Sequence, residues 1–284
     1  MIISPHALGV RLSQVAEPDS ANVAAFEEAI GSLLTAAPVQ IDIGHELQLA
    51  RSIQESFLPI NFPPLQSFDL AGFCRNAHQV GGDFYDVLPV ASDSLLLLVA
   101  DVMGKGIPAA LFAATLRALI RSLAEWTHSP AELLARANRL MFQDLSRVDM
   151  FVTAQVALLE TSARRLTIAS AGHCPLLVAD ALGEIKALSP DGIPIGIDAN
   201  AAFKEQSLLL TTGGCALLYS DGVTEAQNPM GEFFGQAGLE QLLLEAVGQT
   251  QSAASVKENL LSMLTLFQAG TQPRDDQTFL VLAG

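Results

Sequence analysis

Basic side chains are scarce in this chain. Fifteen Lys and Arg stand against 30 Asp and Glu in 284 residues, for a formal charge of −15. No Lys/Arg cluster interrupts the acidity, which argues against a nucleic-acid-binding face and against attraction to an anionic membrane. Most of these carboxylates read as solubilising surface. Long hydrophobic runs are also missing. None approaches the roughly 18 residues that mark a membrane-spanning helix, and the longest, residues 95–100, stops at Asp101 as a buried strand would. The opening stretch, MIISPHALGVRLSQ, has no basic region leading into an apolar one, so no secretory signal is expected. Cysteine is rare: Cys74, Cys174 and Cys215 show no ligand-like spacing. Cys74 and Cys215 sit in apolar runs, where a thiol acts as a small hydrophobe, and reduced thiols fit a cytoplasmic location. A nucleotide-binding phosphate loop is absent because Lys105 is followed by Gly106 rather than Ser or Thr. The H-E-x-x-H, C-x-x-C and G-x-S-x-G patterns are absent too, which removes support for zinc and serine hydrolases. There is no internal repeat and no low-complexity tract.

What is present is a hydrophobic half of the sequence, 50% of all residues, enough for a sizeable core. Residues 1–43 carry no chemical motif and read as an N-terminal helical or linker segment, since fewer than about 50 residues rarely build a core alone. Within it, Ser20 is placed to cap a helix over 21–36, with Phe26, Ile30, Leu33 and Leu34 on one face, until Pro38 breaks it. A second amphipathic helix is predicted over 44–57, with Leu47, Ala50, Ile53, Gln54 and Phe57 spaced by three or four, ended by Pro59, Pro63 and Pro64. From Phe68 the pattern becomes strand-like: FDLAGFCR, DFYDVLPV and SLLLLVADV. Helices are predicted over 108–126, with Pro108 tolerated in the first turn, and over 130–145, capped by Ser129. Strands return at FVTAQVALLE, RRLTIASAG, CPLLVAD and LGEIKALS. SLLLTTGGCALLYSDG gives two strands around a turn at Gly213 and Gly214. Helices over 236–247 and 253–267 precede a last strand, QTFLVLA. This order does not alternate as βαβ units do, so the expected class is α+β, with helices packed on largely antiparallel sheets.

Four acidic motifs punctuate the strands: GGDFYD at 81–86, ADVMGKGIPAA at 100–110, YSDG at 219–222 and RDDQT at 274–278. An Asp-Gly pair alone is a turn signal. Together, Asp83, Asp101, Asp221 and the pair Asp275/Asp276 each mark a strand edge, and three of the four have glycine close by, which permits close backbone approach. Carboxylates delivered from several strand ends are the hard oxygen ligands of Mg²⁺ or Mn²⁺. Two such ions about 3.5–4 Å apart clamp a phosphate and generate a hydroxide for in-line attack. A metal-dependent phosphoryl hydrolase is therefore expected. Gly104 and Gly106 read as a strand-to-helix turn, Lys105 as a solvated lysine in preference to one facing the substrate phosphate, and His173 as a hydrogen-bonded structural residue. A calcium-binding protein is disfavoured because no D-x-[DN]-x-[DN]-G loop exists.

Residues 45–284 resemble the stage II sporulation protein E-like branch of the type 2C (PPM) metal-dependent Ser/Thr protein phosphatases. LARSIQESFLP, VGGDFYDV, ADVMGKGIPAAL, FVTA, ASAGHCPLL, PIGI, YSDGVTEAQNPMGEFFG and DDQT carry the resemblance, in family order. It implies a four-layer αββα sandwich of two antiparallel sheets with a dinuclear Mn²⁺ or Mg²⁺ site at one end. It implies that Asp101 bridges both ions, that the Val102 carbonyl completes one site, and that Asp83, Asp221 and an Asp of RDDQT serve the other. By the family's Asp-Asn pattern Asp275 matches the ligand and Asp276 the Asn. Asp86 is close enough in sequence to support this set, though its spacing does not demand it. The implied reaction is attack of a metal-bridging hydroxide on a phosphoserine or phosphothreonine, with Asp101 and Asp83 as the central carboxylates. Eukaryotic members carry an Arg where His78 stands, with Arg75 nearby but out of position. They carry a His where Met103 stands, so leaving-group protonation falls to a metal-bound water and phosphate anchoring mainly to the metals. The implied substrate is a phosphorylated anti-sigma-factor antagonist (STAS-type) in a bacterial partner-switching pathway. The helix at 44–58 is expected to dock a regulatory partner or form a homodimer, leading a catalytic domain over 44–284. The competing reading is a catalytically silent docking module of the same fold, against which all four metal-Asp positions being filled is the counter-argument.

Overall fold

Strand β3, Ser94–Val102, sets the architecture because it is apolar on both faces. Its odd residues Leu95, Leu97 and Val99 pack in one buried cluster and its even residues Leu96, Leu98 and Ala100 in another. A strand buried on both faces needs a layer on each side. A computed structural model, which describes residues 43–65 and 67–284, supplies both layers. The helix expected over 21–36 lies outside the described residues. Residues from Glu46 to Gly284 form one compact unit.

After helix α1 (Ile43–Phe57), the strands are β1 (Asp69–Arg75), β2 (Phe84–Ala91), β3, β4 (Val152–Glu160), β5 (Arg165–Ala171), β6 (Leu176–Ala179), β7 (Ile185–Leu188), β8 (Glu205–Leu209), β9 (Cys215–Tyr219) and β10 (Gln277–Ala283). The helices after α1 are α2 (Ile107–Leu123), α3 (Pro130–Ser146), the single turn α4 (Asp221–Thr224), α5 (Gly235–Gly248) and α6 (Ala253–Gln268). Two five-stranded sheets result, ordered β1-β10-β9-β6-β7 and β2-β3-β4-β5-β8, with every named pairing antiparallel. The inter-sheet core gathers Leu95, Leu97, Val99, Leu280, Leu282 and Leu218. On the outer side of the second sheet, Leu96, Leu98 and Val156 meet Leu116 and Ile120 of α2 and Leu133 and Met141 of α3. On the outer side of the first, Leu217, Phe279 and Val281 meet Leu239 and Leu243 of α5 and Leu260 and Leu264 of α6. The expected αββα sandwich is the observed one.

Local chemistry explains the helix ends. The Ser129 hydroxyl accepts from the Glu132 amide at 3.2 Å, capping α3. α2 begins after Gly106, with Pro108 in its first turn. It ends at Leu123, three residues short of the predicted limit, because the Glu125 and Trp126 amides bond back to the Ser122 and Leu123 carbonyls in a tightened final turn. The segment around Gly213 and Gly214 differs from a simple hairpin. β8 pairs with β5 in one sheet and β9 with β10 in the other, so the chain crosses between layers at this turn.

Candidate metal centre

Register brings the acidic motifs together. Phe84 pairs with Ala100 across β2 and β3, and one further step sets Asp83 opposite Asp101. In the other sheet Phe279 pairs with Tyr219, so β9 releases Ser220 and Asp221 where Asp275 and Asp276 enter β10. The Ser220 amide donates to the Thr278 carbonyl at 2.9 Å at this edge. Side-chain alternation then explains the polarity. The inter-sheet faces that are apolar at Leu97, Val99, Leu218 and Leu280 become polar at Asp101, Ser220 and Thr278. The sheets are joined there by the Ser220 hydroxyl, which donates to Asp83 Oδ2 at 2.6 Å.

The carboxylates crowd one another. Burial, then Asp101 and Asp276, push the Asp83 carboxyl well above its usual range, against the Ser220 bond. Burial, then Asp221, raise Asp101 to about 7, with a hydrogen bond to Asp83 opposing. Burial, then Glu225 and Asp275, raise Asp221, with Lys105 opposing.

The doubled Asp divides into two roles. Asp276 is buried and turned inward, accepting from the Ala77 amide at 2.7 Å and the Gly82 amide at 2.9 Å. It therefore fixes the loop that leads into Asp83. Gly81 is needed for this approach, since a Cβ there would lie 2.0 Å from Asp276 Oδ2. Asp275 is half-exposed and meets the Lys105 ammonium at 3.1 Å. Lys105 also donates to the Arg274 carbonyl, so it is engaged rather than freely solvated. Gly104 and Gly106, at φ of 92° and 73°, form the strand-to-helix turn expected of them.

Oxygen-only donors raised in pKa by burial and then by mutual repulsion are what a hard divalent cation relieves. Two further features lie at this end of the second sheet. Gly82 packs against the Val102 carbonyl so closely that a Cβ would lie 2.6 Å from its oxygen. Gln155, fully buried two residues from Thr153, has both side-chain polar atoms without a hydrogen-bond partner among the described residues. No three His, Cys, Asp or Glu side chains among the described residues already converge to hold an ion. The reason is visible in their partners: Ser220 holds Asp83, Lys105 holds Asp275, and loop amides hold Asp276. The donor chemistry fits divalent ions, and loading asks for side-chain adjustment.

His173 is buried, and its Nδ1 lies 2.7 Å from the Thr153 hydroxyl. Burial lowers its pKa to about 4, so it is a neutral structural residue. Burial also holds the thiols protonated, Cys174 and Cys215 both at about 12. Asp86 lies outside the centre. It points at α2, paired with Arg117 at 3.1 Å and Arg121 at 2.7 Å. Strand parity carries that signal, because residues 83 and 86 fall on opposite faces. Arg75 bonds Gln268 and Gln277. Gln54, counted in the sequence only as part of a helical stripe, tethers α1 to the site loop. It donates to the Gly81 carbonyl at 2.7 Å and accepts from Asn76 at 2.8 Å.

A sandwich of two antiparallel sheets that presents carboxylates from four strand edges at one end defines the class of the type 2C metal-dependent protein phosphatases. Residues 91–283 match the family described as stage II sporulation protein E, and the chain belongs to that family. It is 30% identical over 244 residues to Protein IcfG of Synechocystis sp., covering 76% of this chain but only 38% of that protein. It is 30% identical over 245 residues to phosphoserine phosphatase RsbU of Bacillus subtilis, covering 86% of this chain and 71% of that one. Among solved structures, the SiaA PP2C domain of Pseudomonas aeruginosa superposes with a TM-score of 0.76 at 26% identity, over 87% of this chain and 99% of that domain. No helix among the described residues is long and apolar enough to cross a membrane.

Proposed function

We propose that this chain is a phosphoserine/phosphothreonine protein phosphatase of the cytoplasm that uses two Mn²⁺ or Mg²⁺ ions. Its substrate is a phosphorylated anti-sigma-factor antagonist of the STAS type, in a partner-switching pathway. The observation that carries the reading is the register that delivers Asp83, Asp101, Asp221 and Asp275 to one end of the sandwich, near enough that, after burial, Asp221 and Asp275 raise the Asp101 pKa. Similarity to a phosphoserine phosphatase supports it.

In this reading Asp101, with the Val102 carbonyl, Asp83, Asp221 and Asp275, would hold the ions. When bound, the ions acidify water and neutralise phosphoryl charge. The chain contributes placement. Ser220 orients Asp83 across the sheet gap, and Asp276 fixes the loop that delivers it. Met103, two residues beyond Asp101, has no proton to give, and neutral His173 is bonded to Thr153, the cross-strand neighbour of Asp101. No side-chain acid is therefore assigned to the leaving oxygen.

The catalytic domain is assigned to residues 44–284, with 44–58 as its regulatory helix and 1–43 as a separate leading segment. A regulatory partner or a second copy acts through α1, which has no buried residue and leaves Leu49 and Ile53 exposed. Its Gln54 bonds to the loop before Asp83 are the route to the site.

Release of phosphate from a phosphoserine-bearing STAS domain, with and without Mn²⁺, tests the assignment. Metal-dependent release from phosphoserine and phosphothreonine is expected. No release with Mn²⁺ bound, either alone or with α1 engaged by a partner, would contradict it.

A further inference from the structure

A cavity of about 720 Å³ opens beside the carboxylate cluster, between α1 and the loop Asp276 holds. Its walls include Leu47 and Arg51 of α1, His78 and Val80 of the loop, and Lys105 and Ile107 from the turn into α2. None of its lining residues is acidic, in a chain with 30 Asp and Glu and 15 Lys and Arg. Two cations, Lys105 and Arg51, and the His78 ring thus face one cleft in a molecule of the opposite charge. An acidic surface repels a phosphorylated protein everywhere except at such a gap, and local positive potential concentrates the anion there.

Lys105 stands where the cleft meets the cluster. Its ammonium lies 3.1 Å from Asp275, its side chain is 37% exposed, and the glycines on either side hold the turn at positive φ. Commitment of the Asp275 carboxylate to a cation would release Lys105 from that partner, leaving its bond to the Arg274 carbonyl and its other donors for the cleft. Arg51 meets Glu55 through Nε at 2.8 Å on the opposite wall and remains half-exposed. Leu47, Val80 and Ile107 supply apolar surface between the two charges.

Resting on the phosphatase reading, we propose that this cleft receives the phosphorylated segment of the protein substrate, with Lys105 binding the phosphoryl oxygens directly. Arg51 and the apolar residues take the flanking peptide. A single phosphate ion occupies a small part of such a cavity, whereas a phosphoserine with its neighbours fills it. Lys105 is then a substrate-binding residue, not merely the counter-ion of Asp275.

The test compares wild type, Lys105→Ala and Lys105→Arg with Mn²⁺ present. Steady-state hydrolysis of a synthetic phosphoserine peptide is measured alongside inhibition by inorganic phosphate. Calorimetric titration supplies Mn²⁺ and phosphate affinities without turnover. Loss of one charge-assisted contact predicts a rise of about tenfold in KM and in the phosphate inhibition constant for Lys105→Ala. Mn²⁺ affinity does not fall, because Lys105 competes with the ion for Asp275, and kcat falls far less than KM rises. Lys105→Arg restores most of the binding. Unchanged KM and phosphate affinity would overturn the proposal, as would weakened Mn²⁺ binding with lowered kcat, the signature of a residue that only positions Asp275. If wild type hydrolyses nothing, the phosphatase reading fails first, and phosphate titration of the Mn²⁺-loaded protein still decides the role of Lys105.

Discussion

Asp275 and Asp276 are adjacent and chemically identical, yet their surroundings give them different work. Asp276 accepts two loop amides on its two oxygens, so Asp276→Ala leaves buried donors unpaired. A cost of about 1–3 kcal/mol per orphaned group follows, visible as a lower Tm with or without metal. Asp275→Asn keeps the shape and removes only charge. It should leave the metal-free Tm within about a degree and weaken Mn²⁺ binding at least tenfold, as a lost carboxylate ligand does. Equal Tm losses for both variants would contradict this division. Asp86 gives a second residue-level prediction. Fully buried and ion-paired with Arg117 and Arg121, it leaves both guanidinium groups uncompensated in Asp86→Ala. The cost is expected at roughly 2–3 kcal/mol, below that of a fully buried pair because Arg121 is partly exposed. Urea unfolding measures it, and a change under about 0.5 kcal/mol would show the triad to be inert.

Helix α1 couples to the site through few contacts. Gln54 bridges to Asn76 and Gly81, and Phe57 lies under the Arg117 guanidinium at 5.1 Å. Gln54→Ala should therefore cut activity several-fold with a small change in Tm, because it frees the Asp83 loop without opening a core cavity. Activity unchanged by this substitution would remove Gln54 from the coupling route. Gln54 also shows where the sequence ran out. Its place on a helix was legible from the spacing of Leu47, Ala50 and Phe57, but a side chain's partner 27 residues away is set by tertiary docking. The strands were legible because each is a short apolar run cut by turn residues, and the four Asp positions because each sits at such a cut. Sheet membership was not. β8 and β9 flank one short glycine turn yet enter different sheets, and nothing local to Gly213 and Gly214 distinguishes a hairpin from a crossing. The Lys105 pairing was missed for the same reason, since Asp275 lies 170 residues away, beyond any local pattern.

For the whole molecule, the cluster is a built-in repulsion within a chain of charge −15. Folding raises the Asp101 pKa to about 7, so the folded state prefers the proton. The stability this group contributes is present below its ordinary value near 4 and is lost as pH rises through about 7. His173 has the opposite sign. Its pKa falls to about 4, so its contribution is present above about 6.5 and is lost as pH drops toward 4. The two oppose each other between about 4 and 6.5, and above that only the carboxylate loss continues. Metal-free protein should lose several degrees of Tm between pH 6.5 and 8. Asp101→Asn should flatten that slope, and saturating Mn²⁺ should remove it in wild type. A flat metal-free profile would mean the carboxylates are not crowded in solution. The most direct test of the central claim joins metal and chemistry in one comparison: Mn²⁺ titration by calorimetry with p-nitrophenyl phosphate hydrolysis, for wild type and Asp101→Asn. Two bound ions and a metal-dependent rate in wild type, with weakened binding and no rate in the variant, are predicted. Wild type that binds no Mn²⁺, or a variant that keeps its rate, would contradict the account.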